Sequence, residues 1–275
     1  MTARVRRAQP FLGTLVDVTV EADDRRAALE ASSRAFAEVA RIHALMSFHS
    51  GDSDVSRLNG ASVGEAVDVS AETAEVLHLA LDLALASESA FDCTVAAELV
   101  SMGLLPRPPG EAPSLPRWRL SGRTVTKDAP SWIDLGGIAK GYAVDRAVET
   151  LIACGARSGL VNAGGDLRHA GSGEATIHLR SPERPGILET ALTIRNAALA
   201  SSSTSGLEAS PISPLVDGAR RTPLARGGGV SVLAPTCILA DALTKVVLAR
   251  RDPQDPLLAQ RGAVVVAYRA PEGPG

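Results

Sequence analysis

Three kinds of feature are scarce in this 275-residue chain, and each absence narrows what the protein can be. Its only cysteines, Cys93, Cys154 and Cys237, are odd in number, widely spaced and form no CxxC pair. That excludes a disulfide framework or a zinc site and leaves buried free thiols as the default. No stretch reaches the roughly 18 consecutive apolar residues of a transmembrane helix. The first residues, MTARVRRAQPFLGTLVDVTV, carry positive charge but run straight into an alternating pattern, without the continuous apolar core of a secretory signal. The expected setting is cytoplasmic, with no membrane insertion. An excess of one charge is missing too. The formal net charge is −3, and Lys and Arg are scattered along the whole length, so there is no basic face for nucleic acid. Internal repeats and long low-complexity tracts are also absent.

What is present suits a buried core. Apolar residues make up 45% of the chain, enough for one large domain spanning residues 1–275 or two intimately packed halves. Leu12 to Val20 alternates as a half-buried strand, and Ala27 to Met46 places Leu29, Phe36, Val39, Ile42 and Met46 on one helical stripe. The polar segment SFHSGDSDVSRLNG reads as an ordered loop with a short helical turn. Ser70 is a good N-cap for a helix that carries Val76, Leu79 and Leu83 inward and ends near Ser87. Leu105 to Pro116 holds five prolines and marks a candidate boundary between lobes at about 105–117. Beyond it come the strand-like WRLSGRTVTK, a helix over about 137–153, strands near 159–162, 176–180 and 188–194, and a Gly-rich polar stretch to Gly229. A strand VSVLAP, a helix ILADALTKVVLARR and a strand GAVVVAYR follow. The order predicts a mixed α/β (α+β) fold, not a regular βαβ repeat.

Two glycine-rich turns carry candidate chemistry. In WIDLGGIAKGYAVDRAVETLIACG a strand ends at Asp134, Gly136 and Gly137 make a tight turn, and a helix begins at once. Backbone N–H groups at such a start, with Lys140 in the first turn, form a site for phosphate or another anion. In VNAGGDLRHAG, Asn162, Gly164, Gly165 and Asp166 follow a strand and permit close backbone approach to a ligand. Neither segment is a Rossmann or Walker pattern.

The order of FLGT, MSFHSGDSDVSRLN, AFDCTV, IDLGGIAKGYAVDRA, LVNAGGD, ALASSSTSG and SVLAPTCILADALTK resembles the ApbE family, the FAD:protein FMN transferases, over about residues 10 to 268. The resemblance implies a two-lobed architecture with a flavin cleft between the halves. It implies an enzyme that takes FAD, uses Mg²⁺ at the pyrophosphate and passes FMN to a Thr or Ser hydroxyl of a flavin-acceptor protein, releasing AMP. A flavin-binding relative without turnover, or a hydrolase that splits FAD into FMN and AMP, are the alternatives. By the same resemblance Leu12, His49, Ala90, Phe91, Asp92, Asp134 and Lys140 fall where family members touch FAD. The carbonyl of Gly137, with Asp241 and Thr244, falls at the metal.

Two positions depart from that pattern. The family's metal segment reads D-A-x-x-T, but here Thr244 is three residues after Asp241 and Lys245 occupies the fourth position. Both lie on the aspartate's face of a helix, about 100° of rotation apart. The ammonium of Lys245 is therefore an alternative neutralising charge for the pyrophosphate. The family's H-x-x-D-P segment is PLVDG here, with Pro214 in place of the candidate base histidine. Asp217 is the substitute carboxylate in that segment. Loss of a general base typically costs ~10² to 10⁴ in rate.

Overall fold

A computed structural model describes residues 2–113, 115–180, 188–205 and 212–273. The chain opens as a hairpin, β1 (Ala3–Phe11) and β2 (Thr14–Ala22), joined by Leu12 and Gly13. Both turn residues have positive φ, 55° and 70°, the geometry of a two-residue turn whose twist matches the strands. The pattern that predicts a strand from Leu12 thus crosses a turn, because leucine rarely adopts this backbone and gives no turn signal. Val16, Val18 and Val20 are fully buried at period two. Helix α1 (Arg25–Met46) starts where the Asp24 side chain accepts the N–H of Ala27, and buries Ala28, Ala31, Ala35, Phe36, Val39, Ile42 and Met46. Leu29 lies off that stripe and is exposed.

Helix α2 (Asp54–Gly60), strand β3 (Ala66–Asp68), helix α3 (Ala71–Ala86) and helix α4 (Ala96–Ser101) follow. Ser70 caps α3 by accepting the N–H of Thr73, as its spacing predicts. β4 (Trp118–Ser121) and β5 (Thr124–Lys127) pair with β3 in the order β3-β5-β4. Strands from both sides of the proline-rich segment therefore share one small sheet.

The main sheet takes its remaining strands from the second half. After helix α5 (Ala139–Ala153) come β6 (Ser158–Ala163), β7 (Asp166–Gly171), β8 (Ala175–Arg180), β9 (Leu188–Ile194), β10 (Ala197–Ser203), β11 (Val216–Asp217), β12 (Thr222–Pro223) and β13 (Gly229–Ala234). Helices α6 (Cys237–Arg250) and α7 (Pro256–Gln260) precede β14 (Val264–Arg269). Seven strands pair in the order β1-β2-β6-β7-β10-β13-β14, each neighbouring pair antiparallel. Helices α1, α5 and α6 cover one face. On the other, Leu179 and Ile194 of the β8–β9 hairpin pack on Leu167 and Leu199. Each fully buried aliphatic side chain contributes about 1.5–3 kcal/mol, so helix-face burial sets the orientation of α5 and α6.

A long-range cap ties the N-terminal end of α6 to the middle of α5. Thr236 is at the N-cap of α6 but makes no capping bond, and its hydroxyl has no partner. Instead the Asp145 carboxylate of α5 accepts the N–H groups of Cys237 and Ile238, both at 2.8 Å, and pairs with Arg168 at 3.0 Å. Asp145→Ala is expected to lower stability by about 2–4 kcal/mol, since it orphans two buried N–H groups and a guanidinium partner. A urea-denaturation midpoint matching that of the parent chain would rule this role out.

Candidate functional site

Two motifs far apart in the chain meet at the end of α5. The Asp134 N–H donates to the Cys93 carbonyl at 2.8 Å, laying the AFDC segment beside IDLGG. Asn59 holds the other side, its amide accepting from and donating to the backbone of Ile133. The glycine turn then delivers Lys140 into the first turn of α5.

A cavity of about 420 Å³ opens there. Ala90, Phe91, Asp92, Asp134, Gly137 and Lys140 all line it, so six of the residues named from sequence are brought together. Val95, Leu99, Leu104 and Leu105 make an apolar wall. Ser202, Pro214 and Lys245 also line it. Leu12 and His49 are not in the lining. Leu12 packs against two core clusters with its N–H directed at His43 Nδ1, 3.4 Å away. His49 is exposed, close enough for its charge to act on Asp134.

The polar groups have defined partners. Asp92 Oδ1 accepts from the Thr94 N–H and hydroxyl, both at 2.8 Å, and Oδ2 faces Arg221 at 3.5 Å. Burial pushes the Asp134 carboxyl above its usual range, against the pull of the Gly136 N–H and of His49. Lys140 pairs with Asp166, which comes from the far strand through the Gly164–Gly165 turn between β6 and β7. Burial works against the Lys140 charge, but Asp241 and Asp166 together hold it protonated above the ordinary lysine range. Asp166 is pushed up to about 6, by burial first and then by the Asp241 charge, with Lys140 and Lys245 opposing.

Of the expected metal ligands Gly137 lines the cavity, whereas Asp241 and Thr244 are fully buried outside its lining and otherwise engaged. Asp241 is fully buried; its Oδ2 accepts the Gly141 N–H at 3.1 Å and its Oδ1 pairs with the Lys245 ammonium. Lys245 Nζ also donates to the Asp241 carbonyl at 2.9 Å. The Thr244 hydroxyl, fully buried, donates to that same carbonyl and pairs with Ser202 Oγ at 2.7 Å. A Cβ built on Gly137 would lie 3.6 Å from Lys245 Cε. Gly137, Asp241 and Lys245 are thus adjacent, with an ammonium where the sequence pattern expects a cation. With the Lys245 ammonium on Asp241 and the Thr244 hydroxyl donating to the Asp241 carbonyl, the arrangement present fits an ammonium in place of a divalent ion. Among the described residues no group of three His, Cys, Asp or Glu side chains is arranged to hold a metal.

Asp217, the substitute for the missing histidine, is a turn residue. Its Oδ1 accepts the N–H groups of Ala219 and Arg220, its Oδ2 pairs with the Arg220 guanidinium, and it does not line the cavity. A short aspartate two residues before a tight turn satisfies orphan backbone donors, which leaves this carboxylate no substrate to act on. Gly218 beside it packs with no room for a side chain: a Cβ would meet the Ser89 carbonyl at 2.4 Å and Asp92 Cβ at 2.7 Å.

Several contributors carry no local sequence signal. Arg221, itself at φ 56°, clasps the Thr94 carbonyl and the Glu98 carboxylate and so braces the AFDC segment. The Ser202–Thr244 contact is also invisible in either segment alone. Lys245 was recoverable, because i and i+4 share a helix face.

A model of the ApbE family matches residues 12–267. Among curated proteins the chain is similar to an FAD:protein FMN transferase of Haemophilus influenzae, 27% identical over 234 residues, covering 74% of this chain and 67% of that protein. It is also similar to an FAD:protein FMN transferase of Rhodobacter capsulatus, 27% identical over 247 residues, or 80% of this chain and 47% of that one. The matched region spans about half the length of the Rhodobacter relative. Among solved structures, the ApbE protein of Thermotoga maritima superposes with a TM-score of 0.82 at 23% identity, covering 98% of this chain and 97% of that one. The apo flavinyl transferase ApbE of Pseudomonas stutzeri gives 0.82 at 20% identity, covering 100% and 93%. The fold is shared with both.

Proposed function

The chain belongs to the ApbE family, and from that premise we propose that it binds FAD in the cavity beside α5 and transfers the FMN half to a Thr or Ser hydroxyl of an acceptor protein, releasing AMP. The observation that carries the reading is that one cavity combines apolar and cationic lining. Phe91, Leu99, Leu104 and Leu105 in its lining suit a planar ring system, and two ammoniums, Lys140 and Lys245, line the same cavity and suit a pyrophosphate.

In the transfer, the acceptor oxygen forms a bond to the FMN phosphorus while the pyrophosphate P–O bond breaks, and AMP leaves with the bridging oxygen. The hydroxyl proton needs an acceptor. Of the lining carboxylates, Asp134 has the affinity raised by burial, which makes it the better matched base at neutral pH. Lys140 holds charge at the pyrophosphate end, where negative charge builds as the bond breaks. Where the family resemblance implies Mg²⁺, the residues present place the Lys245 ammonium on Asp241. The partners in this reading are FAD and a flavin-acceptor protein in the cytoplasm, without nucleic acid. No helix among the described residues is long and apolar enough to cross a membrane.

Pro214 in the cavity lining favours a second reading, in which flavin binding is kept and turnover is lost. Intact-mass analysis of a flavin-acceptor domain incubated with the chain and FAD, with AMP assayed in parallel, separates the two. An FMN adduct with matching AMP is expected. AMP without adduct indicates water as the acceptor. Bound FAD with neither product would sink the transferase reading and leave the binding protein.

A further inference from the structure

We infer that Lys245 is a built-in cation, which lets this chain hold the pyrophosphate of its dinucleotide without a divalent metal. The inference rests on the FAD reading above and deepens it. Lys245 is anchored from one side by Asp241, through both the carboxylate and the main-chain carbonyl, and its side chain is mostly buried. Asp241 is in turn fixed by the Gly141 N–H of the neighbouring helix, so the ammonium has little freedom to withdraw. Lys245 nevertheless lines the cavity beside Gly137, and Lys140 lines the same cavity. An ammonium has three donors, and two are directed at Asp241, leaving one for a phosphate oxygen.

Charge separates this arrangement from a metal site. A divalent ion on one aspartate leaves a local charge of +1, whereas an ammonium on one aspartate leaves zero. Lys245 can therefore orient and hydrogen-bond a pyrophosphate, but it draws electron density from phosphorus less strongly than a Lewis acid does. Binding that ignores chelators, joined to slow transfer, is the combined signature.

FAD fluorescence quenching on the full chain tests this, with titrations in EDTA and in millimolar Mg²⁺. The parent chain is expected to bind equally in both. Lys245→Met keeps the side-chain length without the charge and is expected to weaken FAD binding roughly tenfold to a hundredfold in EDTA, the worth of one charge-assisted hydrogen bond. Riboflavin, which has no phosphate, is expected to bind the variant and the parent alike. Lys245→Thr places a hydroxyl four residues after Asp241 and frees its carboxylate, so its FAD affinity is expected to recover on adding Mg²⁺. Lys245→Arg retains the charge and is expected to stay insensitive to EDTA, which serves if the methionine variant folds poorly. Parent binding that needs Mg²⁺ would overturn the built-in cation while leaving the FAD reading intact. FAD binding in neither buffer would overturn both. Unchanged affinity of Lys245→Met in EDTA would overturn the inference alone.

Discussion

Gly141→Ala is expected to cost about 3 kcal/mol or more of folding stability, although alanine is the better helix former. In an exposed helix the exchange gains about 1 kcal/mol. Here a Cβ would lie 2.4 Å from the Cys237 carbonyl oxygen and 2.8 Å from Ile238 Cα, the backbone of the first turn of α6. Backbone cannot rotate away as a flexible side chain can, so the two helices must separate, and overpacking of this kind is destabilising. Separation also stretches the Gly141 N–H bond to Asp241 and the Asp145 cap on Cys237 and Ile238. Gly51→Ala is the control, because nothing lies within 4 Å of its Cβ position. Its change is expected to stay within about 0.5 kcal/mol. Urea denaturation of both variants gives the comparison; equal midpoints would show that α5 and α6 have slack at this crossing.

Lys140→Met is expected to damage stability and FAD binding together, and the two losses can be separated. Asp166 is fully buried, and its Oδ1 has no hydrogen-bond partner even with Lys140 in place. Removing the ammonium leaves a buried carboxylate uncompensated, at a cost of about 3 kcal/mol at neutral pH. The dependence on pH has a definite sign. The carboxyl of Asp166 is already pushed from an ordinary 3.8 up to about 6 in the folded chain, and loss of Lys140 moves it further in the same direction. A folded-state value above the unfolded one means the native chain binds the proton more tightly. The contribution of this group to stability is then greatest below about pH 4 and is lost as pH rises through 6 and beyond. The deficit of Lys140→Met should therefore shrink as pH is lowered towards 5. Adding Asp166→Asn should recover most of the stability at pH 7 without recovering FAD affinity, since the amide removes the buried charge and restores no cation. A double variant that regained binding would show that Lys140 acts only by neutralising Asp166.

Long helices and their caps were legible because their signals are local. The α1 stripe, the Ser70 cap and the glycine turn before α5 depend on spacing within a few residues, and the structure keeps all three. β10 was not legible. Its sequence AALASSS ends in three serines and reads as a polar loop, yet it pairs with both β7 and β13, and Ala198, Leu199 and Ala200 are buried between them. On α3 the expected Val76 and Leu83 are fully buried and Leu79 packs partly buried against the same core, while Leu77 and Ala80 are fully buried as well. The Ser-rich motif runs to Gly206, which lies outside the described residues.

At the candidate site the division is similar. The residue types were determined by the sequence alone: an aspartate before a glycine turn, a lysine in the first helical turn, and a lysine four residues after Asp241. Their meaning was decided by the tertiary structure. Asp217 lies in the segment where a base was expected and instead satisfies its own turn. Asp145 reads as one more polar residue of α5, and becomes the cap of a helix that begins 92 residues later. Asp241 meets Gly141 across 100 residues, and that contact leaves Lys245 fixed in the cavity lining. Periodicity, capping and turn formation are governed by neighbours in sequence, so a short window contains their cause. Which buried carboxylate faces which donor is governed by how two helices cross on a sheet, and that crossing exists only once the whole core has packed.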